Sequence, residues 1–244
     1  MTKLITIILT AILFSGCQPN ETSEEISEND TTHTELDTMN STVQPLKFLA
    51  LGDSYTIGES VLESERWPVQ LTSKLGANGI EIEKPTIIAK TGWTTDELQS
   101  AIDKENPVKN YDLVSLLIGV NNQYRGYNIE QYESEFKQLL LQAVEFAGNN
   151  NDRIFVVSIP DYSVTPFAQN RDTAQISKEI DQYNAIAKEI ANAQNIRFFN
   201  ITPISRKAKN DSELIAGDGL HPSAKMYAEW VDLIALDVKN MLNH

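Results

Sequence analysis

From residue 46 onward, short apolar runs alternate with longer stretches whose apolar residues recur at helical spacing. The apolar runs predict five β-strands, at residues 46–51, 86–90, 112–119, 153–159 and 196–201. The third and fourth runs are apolar on both faces, which is typical of strands covered by helices on both sides. The helical periodicity predicts helices around residues 67–75, 95–104, 129–146, 173–193 and 223–242.

Strands that alternate with helices indicate a parallel sheet, because parallel strands need long crossovers and these are usually helical. We therefore predict an α/β fold, a three-layer αβα sandwich built on a five-stranded parallel sheet. One domain, residues 46–244, accounts for the whole pattern.

The segment that precedes this domain, residues 1–45, does not show the alternation of strands and helices. Its first part, "MTKLITIILTAILFSGC", has one early lysine and an uncharged apolar run over residues 4–14, which is too short to span a bilayer and predicts a signal peptide. The ending "LFSGC" resembles a bacterial lipobox, which implies cleavage before Cys17 and lipidation of that cysteine. The alternative is a secretory signal that happens to end near a cysteine.

Residues 18–45 contain no lysine or arginine, few large apolar residues, and many Ser, Thr, Asn and acidic residues. Such a segment cannot bury enough apolar surface to offset the entropy of ordering. We expect a disordered acidic tether between the signal peptide, residues 1–17, and the domain.

Charge and residue usage exclude several classes of protein. The formal net charge of −14 argues against a nucleic-acid partner, since phosphate binding needs clustered Lys and Arg. Cys17 is the only cysteine, so no internal disulfide is expected. One usable histidine without a cysteine or carboxylate cluster does not make a metal site, and we expect no metal or cofactor. We expect a monomer held in the bacterial cell envelope by lipidated Cys17.

Candidate chemistry lies in the loops that follow the strands, because ligand sites of open α/β sheets lie outside the carboxyl ends of the strands. These loops place Ser54 after the first strand, Gly92 after the second, Asn121 after the third, and Asp218 with His221 after the last. We expect all of these residues at one edge of the sheet.

A serine hydroxyl needs a base, commonly a histidine that a carboxylate orients. Of the three histidines, His33 lies in the tether and His244 is the last residue, which leaves His221 as the base. Asp218 is close enough in sequence to orient its imidazole. We therefore predict a catalytic triad of Ser54, Asp218 and His221.

An ester carbonyl under attack also needs donors for the developing oxyanion. The candidates are the backbone N–H groups of Ser54 and Gly92 and the side-chain amide of Asn121. Each of these loops could instead be an ordinary turn or the start of a helix, since Asp, Ser, Thr and Asn are favoured in both. Their joint occurrence at strand ends favours the functional interpretation.

The blocks "GDS", "TGWTT", "GVNN" and "DGLHP" together resemble the SGNH hydrolase superfamily, and within it the GDSL-type esterases and lipases. "ERWPVQL" and "TTDEL" are similar to the bacterial thioesterase, arylesterase and lysophospholipase branch. The resemblance implies a flavodoxin-like sandwich, an acyl-enzyme on Ser54, a proton shuttle through His221 and no metal.

Two residues depart from the family pattern, and both are candidates for substrate binding. Asn122 stands where the third block usually has aspartate, and Tyr55 stands where leucine is common after the nucleophile. The loop over residues 160–171 also follows a strand, and it makes Tyr162 a third candidate. An ordinary surface loop is the alternative for that segment.

The leading hypothesis is an extracytoplasmic carboxylic ester hydrolase that acts on an acyl ester, a lysophospholipid or an acetylated carbohydrate. An acyltransferase could use the same triad to pass the acyl group to a sugar hydroxyl. A non-catalytic surface lipoprotein that binds a glycan or a partner is the third possibility, although the complete set of triad residues argues against it.

Overall fold

Five parallel strands form the centre of the protein in the computed structural model, which describes residues 44–243. The strands are β1 (Phe48–Gly52), β2 (Thr86–Ala89), β3 (Leu113–Leu117), β4 (Ile154–Val157) and β5 (Arg197–Phe199). Their order across the sheet is β2-β1-β3-β4-β5. The predicted α/β fold with a five-stranded parallel sheet is confirmed. The predicted signal peptide, Cys17 and almost all of the predicted tether lie outside the described residues.

The three central strands contribute fully buried residues to the hydrophobic core. Every residue of β1, β3 and β4 is buried, whereas the edge strands β2 and β5 are partly exposed. In the register of the sheet, Leu51 of β1 lies between Ile88 of β2 and Leu116 of β3. The predicted strands are in the right places. The third, fourth and fifth extend two residues past the observed strand ends, because their last apolar residues already belong to the turns that leave the sheet, whereas the first stops one residue before the end of β1.

Eight α-helices connect or flank the strands. They are α1 (Ser54–Ile57), α2 (Trp67–Ala77), α3 (Thr95–Glu105), α4 (Val120–Tyr124), α5 (Ile129–Phe146), α6 (Thr173–Ala193), α7 (Thr202–Arg206) and α8 (Ala224–Leu242) among the described residues. The five long helices agree with the predicted ones to within two residues. The three short helices were not predicted, since each is too short to show an apolar period.

The helices form a layer on each face of the sheet. The chain moves in one direction from β1 to β2 and in the other from β2 to β3, and right-handed crossovers therefore place α2 and α3 on opposite faces. Helix α8 packs against α2, whereas α3 packs against α5 and α5 against α6. The layers are thus α2 with α8 on one face, and α3, α5 and α6 on the other.

The reversal of direction creates a crevice between β1 and β3, since connections from these neighbouring strands leave toward opposite faces. Helices α1 and α4 begin there, directly after the two strands. The segment before α8 is held nearby by an antiparallel bridge between Ile215 and Pro222, and Ser223 caps α8 by accepting a hydrogen bond from Met226 N at 3.3 Å. The fold thereby brings His221 to the same edge as Ser54.

Candidate active site

The turn after β1 places Ser54. β1 ends at Gly52, and a Cβ at that position would lie 2.3 Å from Thr56 Oγ1, so the turn requires glycine. Asp53 then caps α1 by accepting a hydrogen bond from Tyr55 N at 3.0 Å. Ser54 is the first residue of α1 and is only 4 % exposed, at the carboxyl edge of the sheet.

The loop after β2 places Gly92 in the left-handed region, at a φ of 87° that favours glycine. Its carbonyl oxygen accepts a hydrogen bond from Arg125 Nη2 at 2.6 Å, and Arg125 Nη1 forms an ion pair with Glu97 at 3.1 Å. These contacts fix the loop after β2 to the segment that follows α4.

Asn121, in the first turn of α4, is tied to the same loop. Its Nδ2 donates a hydrogen bond to Trp93 O at 3.0 Å. An amide nitrogen carries two hydrogens, so the second remains available to a ligand. The side chain can therefore donate toward an oxygen atom held beside it.

A cavity of about 160 Å³ lies where these loops meet. Its lining is Ser54, Tyr55, Thr91, Gly92, Val120, Asn121, Tyr124, Tyr162, Phe167, Leu220 and His221. Six of the residues predicted for the site, from all four sequence blocks and the loop after β4, thus share one cavity. That Tyr55 and Tyr162 contact a substrate there stays a prediction.

Asp218 does not line the cavity, but its carboxylate contacts the imidazole of His221, which does. Its Oδ2 is 2.6 Å from His221 Nδ1, and its Oδ1 accepts hydrogen bonds from Leu220 N at 2.9 Å and His221 N at 3.0 Å. Ser60 Oγ also donates to Oδ2, at 2.7 Å. Both carboxylate oxygens therefore have two donors each.

These hydrogen bonds determine the charge of Asp218. Partial burial of Asp218 opposes ionisation, but hydrogen bonds from His221, Ser60 and Leu220 outweigh it and hold the pKa of the carboxyl well below its usual range. An ionised carboxylate only accepts, so Nδ1 of His221 is the donor in this hydrogen bond, and in the neutral form of the imidazole the lone pair lies on Nε2. The ring of Tyr55 packs against the imidazole at a centroid distance of 5.5 Å. His221 is thus prepared to accept a proton at Nε2.

Asn122, the remaining candidate for substrate binding, is not brought to the cavity wall. Asn122 is fully buried and does not line the cavity. Its Oδ1 accepts a hydrogen bond from Thr95 N at 3.1 Å, and its Nδ2 donates to Thr95 Oγ1 at 2.6 Å. The side chain joins the start of α4 to the start of α3, which stabilises the loops that carry Asn121 and Gly92.

A family model for the GDSL-like lipase/acylhydrolase family matches residues 50–229, which is most of the chain and includes every residue of this cavity. The chain belongs to this family. The resemblance inferred from the four sequence blocks is therefore confirmed, and the protein is an enzyme of the GDSL esterase and acylhydrolase class. Members of this class act on esters.

Several solved structures share the fold. The crystal structure of TesA has a TM-score of 0.61 at 14 % identity, over 80 % of this chain and 99 % of that one. The esterase EstA from Pseudoalteromonas sp. has a TM-score of 0.58 at 18 % identity, over 81 % and 99 %. A variant of the acetyl xylan esterase Axe2 from Geobacillus stearothermophilus has a TM-score of 0.59 at 20 % identity, over 79 % and 94 %. No curated protein sequence matches this GDSL chain.

Several residues of the site were not predicted from the sequence of this GDSL enzyme. The cavity also includes Thr91, Val120, Tyr124, Phe167 and Leu220, and Ser60 contacts Asp218. Phe167 lies in the loop after β4, which was recognised as a candidate wall. For Ser60 the sequence offers no signal, because its partner is 158 positions away.

Residues 44–243 of the enzyme offer neither a membrane span nor a metal cluster. No helix of this part is long and apolar enough to cross a membrane. This same part contains no cluster of three or more His, Cys, Asp or Glu side chains that could hold a metal ion.

Asp53 of the "GDS" block makes the stability of the fold depend on pH. Its carboxyl is fully buried, and Oδ2 has no hydrogen-bond partner among the described residues. Burial raises the pKa of Asp53 to about 7, against the weaker opposing effect of the Tyr55 N–H. The folded protein therefore keeps a proton that the unfolded chain loses near pH 4, so this group's stabilising contribution falls as the pH rises from about 4 to about 7.

Asp53→Asn is expected to remove this contribution, because the amide can keep the cap at Oδ1 and has no charge to bury. Relative to the wild type, the variant should gain thermal stability between pH 5 and pH 8 as measured by melting temperature. Exposed Asp103 on α3, changed to Asn, is the matched control. A constant difference between Asp53→Asn and the wild type at both pH values would contradict this account.

Proposed function

We propose that this enzyme is a carboxylic ester hydrolase that removes short acyl groups through an acyl-enzyme on Ser54. The observation that carries the proposal is the shared cavity, in which Ser54 and His221 both line the wall and Asp218 holds the imidazole from behind at 2.6 Å. A nucleophile, a base and an orienting carboxylate in this relation are the parts that serine acyl transfer needs.

The chemistry follows from the position of the protons. Nε2 of His221 takes the proton of Ser54 Oγ as this oxygen attacks the carbonyl carbon. The imidazolium, stabilised by Asp218, then protonates the leaving alcohol. A water molecule enters, gives its proton to Nε2 and attacks the acyl carbon, which releases the acid and restores the Ser54 hydroxyl.

The negative charge on the tetrahedral oxygen requires donors that are in place before the reaction. The backbone N–H of Ser54, the backbone N–H of Gly92 and Nδ2 of Asn121 come from three different loops around the cavity. Trp93 and Arg125 hold two of these loops through the hydrogen bonds described above. Little reorganisation is then needed when the charge develops.

The size of the cavity supports a short acyl group. Pockets that take a drug-sized ligand are about 300 to 1,000 Å³ in volume, and this cavity has about 160 Å³. Aromatic rings form much of its wall: Phe167 lies 5.9 Å from Tyr124 and 6.3 Å from Tyr162 between ring centroids. A space of this size favours acetyl to butyryl esters over esters with a long acyl chain.

An acyl-length series tests this proposal. With p-nitrophenyl esters from acetyl to palmitoyl, kcat/KM of the wild type is expected to be highest between acetyl and butyryl. Phe167→Ala should raise kcat/KM for hexanoyl relative to acetyl by on the order of tenfold, because each methylene group in an apolar pocket changes recognition by about 1–3 kcal/mol.

The change at Phe167 leaves the backbone contact of this loop intact, since Phe167 N donates to Gly219 O at 3.0 Å. The matched control is Leu236→Ala on α8, an apolar side chain that is 70 % exposed and does not line the cavity. A wild type that prefers palmitoyl, or a Phe167→Ala profile identical to that of the wild type, would exclude this cavity as the acyl site.

The place of action is also part of the proposal. The apolar run over residues 4–14 and the sequence "LFSGC" support export and lipidation at Cys17, with the enzyme held at a membrane surface of the bacterial cell envelope. Acyl chains on one cysteine would leave residues 18–45 as a spacer between the membrane and the domain. The ester substrates would then lie outside the cytoplasm.

A further inference from the structure

Ser60, in the loop after α1, contacts Asp218 of the candidate triad without being a member of the triad. Ser60 Oγ donates a 2.7 Å hydrogen bond to Asp218 Oδ2, the same oxygen that lies 2.6 Å from His221 Nδ1. The other donors to this carboxylate, the N–H groups of Leu220 and His221, belong to the same turn as Asp218. Ser60 therefore ties the carboxylate to the element that carries Ser54.

Ser60 makes this contact from an unfavourable backbone conformation. Its φ is 65°, in the left-handed region, which glycine adopts without strain and in which other residues are uncommon. A glycine would remove this strain but would lose the hydroxyl. The strained backbone thus delivers the hydroxyl to Asp218, a group 158 positions away in the sequence.

Glu59, the residue before Ser60, adds two further hydrogen bonds between this loop and its surroundings. Glu59 N donates to Ser54 O at 3.0 Å, and the Glu59 carboxylate accepts a hydrogen bond from Thr91 Oγ1. Thr91 lines the cavity beside Gly92. Two consecutive residues, Glu59 and Ser60, therefore connect α1 to the loop after β2 and to the turn that holds Asp218.

We propose that Ser60 is a positioning residue for the Asp218–His221 pair, a role that rests on the proposed function. Its hydroxyl fixes the rotation of the carboxylate so that Oδ2 faces Nδ1 and the imidazole is held toward Ser54. Ser60 does not touch the reacting atoms. It acts through Asp218, as an outer hydrogen bond that keeps a catalytic group in its productive geometry.

Two substitutions separate this role from simple loop stabilisation. Ser60→Gly relieves the backbone and deletes the hydroxyl, so its melting temperature should equal or exceed that of the wild type while kcat falls about tenfold and KM stays within about twofold. Ser60→Thr keeps the hydroxyl but places a β-branched residue at positive φ, so its melting temperature should fall while kcat stays within about twofold at a temperature where it is folded.

A control and a second readout complete the experiment. Asn149→Gly relieves another left-handed residue, φ 61°, in the loop after α5, and should leave kcat unchanged. Proton NMR of the His221 Nδ1 proton reports the hydrogen bond to Asp218 without any substrate. Its resonance should move in Ser60→Gly and stay in place in Ser60→Thr.

The proposal is overturned if Ser60→Gly keeps the kcat of the wild type, or if the activities of the two variants simply follow their melting temperatures. A wild type that hydrolyses no ester would instead contradict the proposed function. The NMR comparison still decides the positioning role in that case, since an unchanged Nδ1 resonance in Ser60→Gly would exclude it.

Discussion

Ser54→Ala is expected to lower kcat/KM for p-nitrophenyl acetate by on the order of 10⁴-fold or more, with little change in melting temperature. The substitution removes the oxygen that attacks the carbonyl and leaves His221 with no proton to accept. The side chain lost is small and lies at the wall of the cavity rather than in the hydrophobic core, so the fold should tolerate the change.

The control for this variant is Ser73→Ala, which removes an exposed hydroxyl on α2 that donates to Val69 O within its own helix. Its kcat/KM should match that of the wild type. If Ser54→Ala kept more than about a hundredth of the wild-type kcat/KM, Ser54 would not be the nucleophile, because the loss of a single oxyanion donor already costs that much.

Asp218→Asn should reduce kcat on the order of 10⁴-fold, although it changes only one atom. All four donors around Asp218 point at acceptor oxygens. If the amide oxygen keeps the N–H groups of Leu220 and His221, the amide nitrogen faces Nδ1. The imidazole then has to carry its proton on Nε2, where it can no longer accept the proton of Ser54.

The opposite orientation of the amide in Asp218→Asn is also unfavourable. Its nitrogen would then face the backbone N–H groups of Leu220 and His221, and both hydrogen bonds to them would be lost. Asp211 offers a matched control in the same region, because its Oδ1 also accepts a hydrogen bond from the backbone two residues on, Glu213 N at 3.1 Å, and its Oδ2 pairs with Lys225. Asp211→Asn should keep the wild-type kcat. Equal kcat values for Asp218→Asn and the wild type would remove Asp218 from the mechanism.

The sequence predicted those parts of the molecule that repeat a local pattern. Helix α5, Ile129–Phe146, is found at its predicted bounds because its apolar residues recur at helical spacing along one buried face. The order of strands and loops placed Ser54, Gly92, Asn121 and His221 at one edge of the sheet, and the structure brings them to one cavity.

Contacts between distant segments could not be predicted in the same way. Helix α4 has the sequence "VNNQY", which shows no apolar period, and the partner of the buried Asn122 side chain is Thr95 of α3, 27 positions away. The hydrogen bond from Ser60 depends on a left-handed residue that sequence patterns do not reveal. Such roles are set by the tertiary fold rather than by the residue and its neighbours.

The most direct test of the central claim is to trap the nucleophile. With a p-nitrophenyl alkylphosphonate, Ser54 Oγ should displace p-nitrophenolate and form a stable bond to phosphorus, while His221 takes the serine proton. Mass spectrometry of the digested protein should find one phosphonyl group per chain, on the peptide that contains Ser54, together with complete loss of esterase activity. Modification at another residue, or loss of activity with Ser54 unmodified, would contradict the account.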